Sequence, residues 1–392
     1  MKNHASWCVF ACMMPTRSIL LLPILVLCAA QAAPPPLLGE QAAANLQVAA
    51  AEAMRTPPLS VTQKEQPAAS GDRHDYTSMG PYWWPDPDKP GGLPYIRRDG
   101  DVNPESRGAR SDSPRLGRMV RAVEALATSW HVTGNEKHAR HAALLLRAWF
   151  IDSATRMNPH LQYAQAIPGV CDGRGIGLID GVGFIRIPAA VLWLEGSPDW
   201  SVDDTAKMRR WFSSFLDWIL TSKRGQDAGA AHNNHGTWHD VQCVTYARFL
   251  GREDLARKIL MQVAEKRIAK HIAPDGSQPH EVVRTKSWEY SVMNLTGLFR
   301  LALLAERSGP DLWNFETSDG RGLRAGLVYL MKHMDGSSPW PHPNLSKVDT
   351  SSALPLVASA SRVYGADKFP ENLVRKAKDN VKADWRPEVS WP

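Results

Sequence analysis

"RLGRMVRAVEALATSWHVTG" (115–134), followed by "KHARHAALLLRAWFID" (137–152), decides the fold. Apolar residues return every three or four positions in both stretches, which is the spacing of one buried helix face. The break between them, "HVTGNEKH", is short and polar, so the second helix folds back antiparallel to the first. The same pattern continues through "GLIDGVGFIRIPAAVLWLEG", "TAKMRRWFSSFLDWILTSK", "DLARKILMQVAEKRIAKHI" and "SWEYSVMNLTGLFRLALLAERSG", with breaks such as "EGSPDWS" and "LGRED". No run of β-branched alternation is long enough for a sheet. An all-α chain of this many antiparallel pairs closes most economically into an (α/α) toroid or barrel, whose inner helices border a central cleft or tunnel. No fixed period is visible, so a regular repeat array is not expected.

The 392 residues divide into a leader and one domain. Lys2 and Arg17 precede the apolar run "SILLLPILVLCAA", and "AQA" ends at Ala32, as in a cleaved export signal. The run is short for a membrane span, and Leu27 before Cys28 argues against lipidation. Residues 1–32 are therefore expected to be a signal peptide, and 33–392 a single domain in the periplasm or outside the cell. Cleavage removes three of the five cysteines and leaves Cys171 and Cys243, as one bridge or as two free thiols. It also takes two positive charges from the net +6, leaving +4. So mild an excess favours an anionic ligand only weakly; no nucleic-acid partner is expected, nor a membrane after cleavage. Oligomeric state is not legible in the sequence.

Three stretches interrupt the helices. "HDYTSMGPYWWPDPDKPGGLPYIRRDGDVNPES" (74–106) is too rich in Pro and Gly for a helix and too aromatic for a linker. Long aromatic loops cover or line sites. With "NPHLQYAQAIPGVCDGRGIG" (158–177) and "APDGSQPHEVVRTKSWEYS" (273–291), it is expected to wall one site. Tyr76, Tyr82, Trp83 and Trp84 are candidates to stack on a sugar ring, or else to fold the loop onto itself. Arg97 is a candidate for a substrate carboxylate, or a solvated turn residue.

"NNHGTWHD" (233–240) concentrates hydrogen-bonding and titratable groups in two helical turns. Asn233 can cap the helix. His232, His235 and His239 have the spacing of a zinc site but lack the glutamate of "HExxH", and neither metal nor cofactor is expected. The remaining reading is a cluster for a carboxylate or oxyanion, in which His235, Trp238 and His239 share a face. Arg284 and Tyr290 are six apart, so Arg284 is expected in the loop before the helix that carries Tyr290. A nearby arginine lowers a phenol's pKa from about 10 and makes it a usable base.

Asn, His, Arg and Tyr together suit abstraction of a proton beside a carboxylate. In a polyuronate that proton is on C-5, and its loss builds an enolate-like dianion. Asn and protonated His stabilise the developing charge. Tyr takes the proton and returns one to the glycosidic oxygen leaving C-4. No water attacks, whereas a glycosidase needs two opposed carboxylates.

"NNHGTWHD", "DGSQPHEVVRTKSWEY" and "YTSMGPYWWPDPDKPGGLPYIRRDG" resemble the alginate lyase superfamily of bacterial polysaccharide lyases, and polysaccharide lyase family 38 more than family 5, over nearly all of residues 70–380. The resemblance implies an (α/α) toroid that cleaves alginate or glucuronan by β-elimination, with Asn234 and His235 neutralising the carboxylate, Arg284 as the family's arginine and Tyr290 as its catalytic tyrosine. Trp238, His239, Arg97 and the loop aromatics join them as expected substrate contacts. Family-5 enzymes space the arginine and tyrosine more widely and carry an early-loop lysine not matched here, so their substrate rules do not transfer directly. Two rivals stand: an (α/α) hydrolase using Asp240 with Asp180 or Glu281, and a non-catalytic polyuronate-binding protein.

Overall fold

The structure, a computed structural model, describes residues 38–384; the expected signal peptide lies outside them. After α1 (Glu40–Ala53) come three short strands, β1 (Thr77–Met79), β2 (Trp83–Trp84) and β3 (Ile96–Arg97). The expected pair follows as α2 (Ser113–Thr133) and α3 (Glu136–Leu146), then β4 (Tyr163–Ala166). A 3-10 segment, Gly175–Arg186, runs into α4 (Ile187–Leu194). Next are α5 (Val202–Thr221), α6 (Lys223–Gly229), α7 (Asn234–Phe249), α8 (Glu253–Val263), α9 (Ala269–His271) and α10 (Pro279–Val282). The chain closes with α11 (Ser287–Ala305), α12 (Leu323–Met331), α13 (Leu354–Tyr364) and α14 (Glu371–Ala383). This is the all-α toroid of paired helices that the spacing predicts.

Local chemistry makes the reversals. Gly134 ends α2 in the left-handed region at φ 68°, where a side chain would be strained, and Asn135 caps α3 by accepting from the Lys137 N–H. Ser201 and Asp204 form a capping box on α5, and Asp204 also takes Arg147 at 2.7 Å, which ties α5 to the end of α3. Phe150, Phe184, Trp211, Phe212, Phe215 and Tyr246 interlock edge to face and tilted, with Phe150 and Trp211 centroids 4.7 Å apart. Helix α7 packs on α6, α8, α11 and the Gly175–Arg186 segment, and from Gly236 onward it is buried on every side.

Small sheets are present where none was expected. β1 pairs parallel with β4, and β2 antiparallel with β3. Strands of two to four residues leave no alternation to read, yet they do positional work: one pair closes the aromatic loop on itself and the other pins it to the 158–177 stretch. Cys171 and Cys243 are free thiols, the second buried.

Candidate active site

The first turns of α7 and α11, the aromatic loop and the 158–177 stretch enclose a cleft of about 610 Å³. Asn233 caps α7 by accepting from the His235 N–H, which leaves Asn234 and His235 in the first helical turn facing the cleft. Tyr290 holds the same place on α11. Arg284 sits between α10 and α11, as its spacing from Tyr290 required.

The tyrosine is tightly surrounded. Its hydroxyl lies 2.6 Å from that of Tyr82 and accepts from Arg284 at 3.2 Å, and the guanidinium carbon stands 4.1 Å from the centre of its ring. Arg284 is held in turn by both oxygens of Asp99, at 2.8 and 3.1 Å, and Asp99 also accepts from Thr285 and Arg97. Burial raises the Tyr290 phenol above its ordinary range, with the Tyr82 hydrogen bond adding to it; the pull of Arg284 works against both and does not win. The expectation of a lowered pKa is thus corrected: at neutral pH Tyr290 carries its proton.

His235 is corrected as well. Burial, then the charges of Arg284 and Arg174, lower its pKa to about 4, so it is neutral rather than protonated before substrate binds. Its Nδ1 is buried with no partner, as is Oδ1 of Asn234. Buried polar atoms without partners are costly, and here they face a cleft that a polar ligand can fill. Behind them Glu281 accepts from both the Asn234 backbone N–H, at 2.6 Å, and its Nδ2, at 2.9 Å. Burial lifts Glu281 to about 7, against those two hydrogen bonds.

Of the expected site residues, Tyr82, Trp83, Arg97, Asn234, His235, Arg284 and Tyr290 line the cleft together. Four do not. Tyr76 is fully buried and donates to Asp180, so it has no face for a sugar. Trp84 turns away, donating to the Asp101 carbonyl under Arg98. Trp238 lies deeper, donating to the Met293 carbonyl. His239 faces inward onto Asp240 at 2.9 Å and Cys243, and α7 is so thoroughly buried that sharing a helical face with His235 does not bring it to the cleft.

The three histidines whose spacing was weighed against a zinc site lie apart, since His232 stacks on His280 while His239 is committed to Asp240. The acids weighed for a hydrolase are each engaged inside the protein: Asp240 by Arg267, Asp180 by Tyr76, Ser78 and Gln165, and Glu281 by Asn234.

Residues 60–340 match the alginate lyase family, which covers most of the chain. The chain belongs to that family. This lyase superposes on an alginate lyase from Bacteroides ovatus with a TM-score of 0.82 and 36% identity, over 88% of this chain and 91% of that one. Alginate lyase A1-III of Sphingomonas species A1 shares its fold, with a TM-score of 0.51 and 16% identity over 84% of this chain and 88% of that one. A tetrasaccharide complex of alginate lyase A1-III aligns likewise, with a TM-score of 0.54 and 16% identity over 84% of this chain and 87% of that one. No functionally curated protein matches. The protein is thus a polysaccharide lyase.

Two wall residues of this lyase were not picked out from the sequence. Gln165 adopts φ 52°, unusual for a non-glycine, and donates to Asp180 while its carbonyl and side-chain oxygen accept from Arg174. Burial lowers the Arg174 pKa, and it projects into the cleft over Trp83 with, among the described residues, no carboxylate paired to it. The signal available was "CDGRGIG": a side chain at Gly173 would strike the Gln162 carbonyl at 2.1 Å, so glycine lets the chain pass close enough to aim Arg174 inward.

Proposed function

We propose that this lyase cleaves a 1,4-linked polyuronate, either mannuronate-rich alginate or glucuronan, leaving 4,5-unsaturated uronate ends, and that it works in the periplasm or outside the cell. The observation that carries the reading is the convergence of the Tyr290 hydroxyl, Arg284, His235 and the Asn234 amide on one cleft. The relatives' activity on alginate supports the substrate class. His235, Arg174 and the Asn234 Nδ2 hydrogen that Glu281 does not take face the substrate carboxylate and stabilise charge that builds as the C-5 proton leaves. An anionic carboxylate beside His235 raises its pKa again and favours the charged, doubly donating imidazole. Tyr290 removes the C-5 proton, the C-4 to oxygen bond breaks as the C-4 to C-5 double bond forms, and the proton passes to the departing glycosidic oxygen. Tyr290 must first release its own proton to solvent water, and Arg284 at its oxygen lowers the cost of the phenolate; the proton it then takes from C-5 leaves with the glycosidic oxygen, so the phenolate is regenerated.

A second substrate has an observation in its favour. In guluronate the C-5 proton lies on the opposite face, so His235 would act as base and Tyr290 as acid. A neutral His235 and a protonated Tyr290 are the states that such a pairing starts from.

The test is the absorbance of the unsaturated product, at about 235 nm, on glucuronan, polymannuronate, polyguluronate and polygalacturonate, each with and without chelator. A rise on one or two polymers that ignores chelator supports the reading and names the sugar. No rise on any would overturn it. On polyguluronate, the acid limb of kcat/KM is expected at about 4, where free His235 takes up a proton and stops being a base, and not at the ordinary value of about 6.5.

A further inference from the structure

A second cavity, of about 1080 Å³, adjoins the cleft; Arg107, Ser113, Ile179 and Asp180 line both. It runs along α2 and the Gly175–Arg186 segment, with Trp238 and Thr296 contributed by α7 and α11. Its charge is lopsided: among the described residues six arginines line it against three carboxylates, those of Glu52, Glu124 and Asp180. Arg186 is spent on Glu124, but among the described residues the guanidinium groups of Arg55, Arg118 and Arg121 have neither ion pair nor hydrogen bond. Arg118 and Arg121 are one turn apart on α2, where like charges repel until an anion lies between them. Gly117 beside them adds no side chain of its own, and one placed there would meet the Arg121 guanidinium at 3.2 Å.

We infer that this arginine-lined cavity is a second binding stretch for the same polyanionic chain, holding carboxylates of sugars that lie beyond the bond being cleaved. The inference rests on the polyuronate reading of the cleft. Its size exceeds the roughly 300–1,000 Å³ that suits a drug-sized ligand, so it has room for several sugars rather than one small anion. Arginine suits it because a guanidinium can meet a carboxylate with two parallel hydrogen bonds, and among the described residues no lysine lines the wall. The two cavities share Arg107 and Ser113 as a common wall, so a chain long enough to reach from one to the other would bind each added sugar at high effective concentration.

The test uses the full protein carrying Tyr290→Phe, which holds substrate without turning it over, with and without Arg118→Ala plus Arg121→Ala. Binding of saturated oligouronates of increasing length is followed by calorimetry at low and high salt. With the arginines present, affinity is expected to keep rising past the length that fills the cleft, and salt should erase that extra gain. Without them the longest oligomer should bind about tenfold more weakly while the shortest binds alike, as expected from the loss of two charge-assisted contacts. Identical length profiles in the two proteins would overturn the inference, as would a uniform loss at every length. Competition by inorganic phosphate as strong as that by a long oligomer would also overturn it, in favour of a small-anion site. Failure of the wild type to produce unsaturated ends sinks the lyase mechanism but leaves this readout intact, because the length profile needs no turnover.

Discussion

Two successive turns of α7 carry the same kinds of side chain and use them in opposite ways. In the first turn Asn234 and His235 keep buried polar atoms without partners, facing a cleft, and burial with two nearby arginines lowers His235 to about 4. In the second, His239 and Asp240 are saturated: Asp240 takes Arg267 at 2.7 Å as well as His239, and Arg267 goes on to bond the Gly229 and Ala231 carbonyls. Burial opposes charge on His239, but Cys243 and Asp240 outweigh it and raise its pKa to about 10. Two imidazoles four residues apart are thus pushed in opposite directions. Residue type is the same; the neighbours decide which imidazole can exchange a proton and which is a fixed cation. The unsatisfied turn is available for chemistry, and the satisfied one holds the helix that presents it.

The largest effect is expected across the cleft from the first turn. Tyr290→Phe keeps the ring under Arg284 and removes the hydroxyl, so turnover should fall by roughly a thousandfold or more while the melting temperature stays put. Unchanged turnover would remove Tyr290 from the mechanism and break the contrast between the two turns, since the first would then face no acid or base.

The second turn should answer in stability. Asp240→Ala leaves Arg267 and His239 buried without their carboxylate, which costs about 3–5 kcal/mol in comparable buried pairs. Its pH signature is set by His239, whose folded pKa is above the unfolded value. The folded state then holds more protons between about 6.5 and about 10, so this stabilisation is full below that window and is lost as pH rises through it. Chemical denaturation across that range should show the decline in wild type and a flatter profile in His239→Gln. A large loss of turnover in folded Asp240→Ala protein, with stability intact, would show that the second turn belongs to the site after all.

Glu281 joins the two behaviours, being buried scaffold that grips a cleft residue. Glu281→Gln can still accept from the Asn234 backbone N–H and, with the Asn234 amide turned over, donate to Oδ1 and leave Nδ2 free for the substrate. Glu281→Ala can do neither. Turnover is therefore expected to fall by roughly ten- to a hundredfold in the alanine variant, in line with the loss of outer-shell partners elsewhere, and far less in the glutamine variant. Equal losses in both would mean that the carboxylate charge, and not its grip on Asn234, is what matters.

Much of this was legible in sequence, for physical reasons that also mark where reading stopped. The pairing of α2 with α3 shows because helical periodicity and a Gly-Asn reversal are local. Asn234, His235, Arg284 and Tyr290 could be grouped because the proposed elimination calls for all four kinds of group, and the structure brings them to one cleft. What failed was anything set by three-dimensional surroundings: the protonation of His235 and Tyr290 depends on burial, and His239 was misplaced because helical phase cannot tell a cleft from a packed interior. Arg174 and Gln165 were missed because their role comes from a backbone path, the φ of 52° and close glycines, that has no periodic signature.

The smallest expected effect separates two neighbours on the aromatic loop, where the contrast of the α7 turns repeats on a strand. Alternation along β2 sends Trp83 and Trp84 to opposite faces. Trp83 lines the cleft beneath Arg174, while Trp84 spends its indole N–H on the Asp101 carbonyl and its ring on Arg98. An aromatic contact of this kind is worth about 0.5–1.5 kcal/mol, so Trp83→Ala should raise KM about two- to tenfold with kcat nearly unchanged. Trp84→Ala should move KM by less than about twofold, because its partners belong to its own loop. If the order were reversed, sugar binding would have to reach the outer face of the loop, and the cleft would extend past the hairpin that now bounds it.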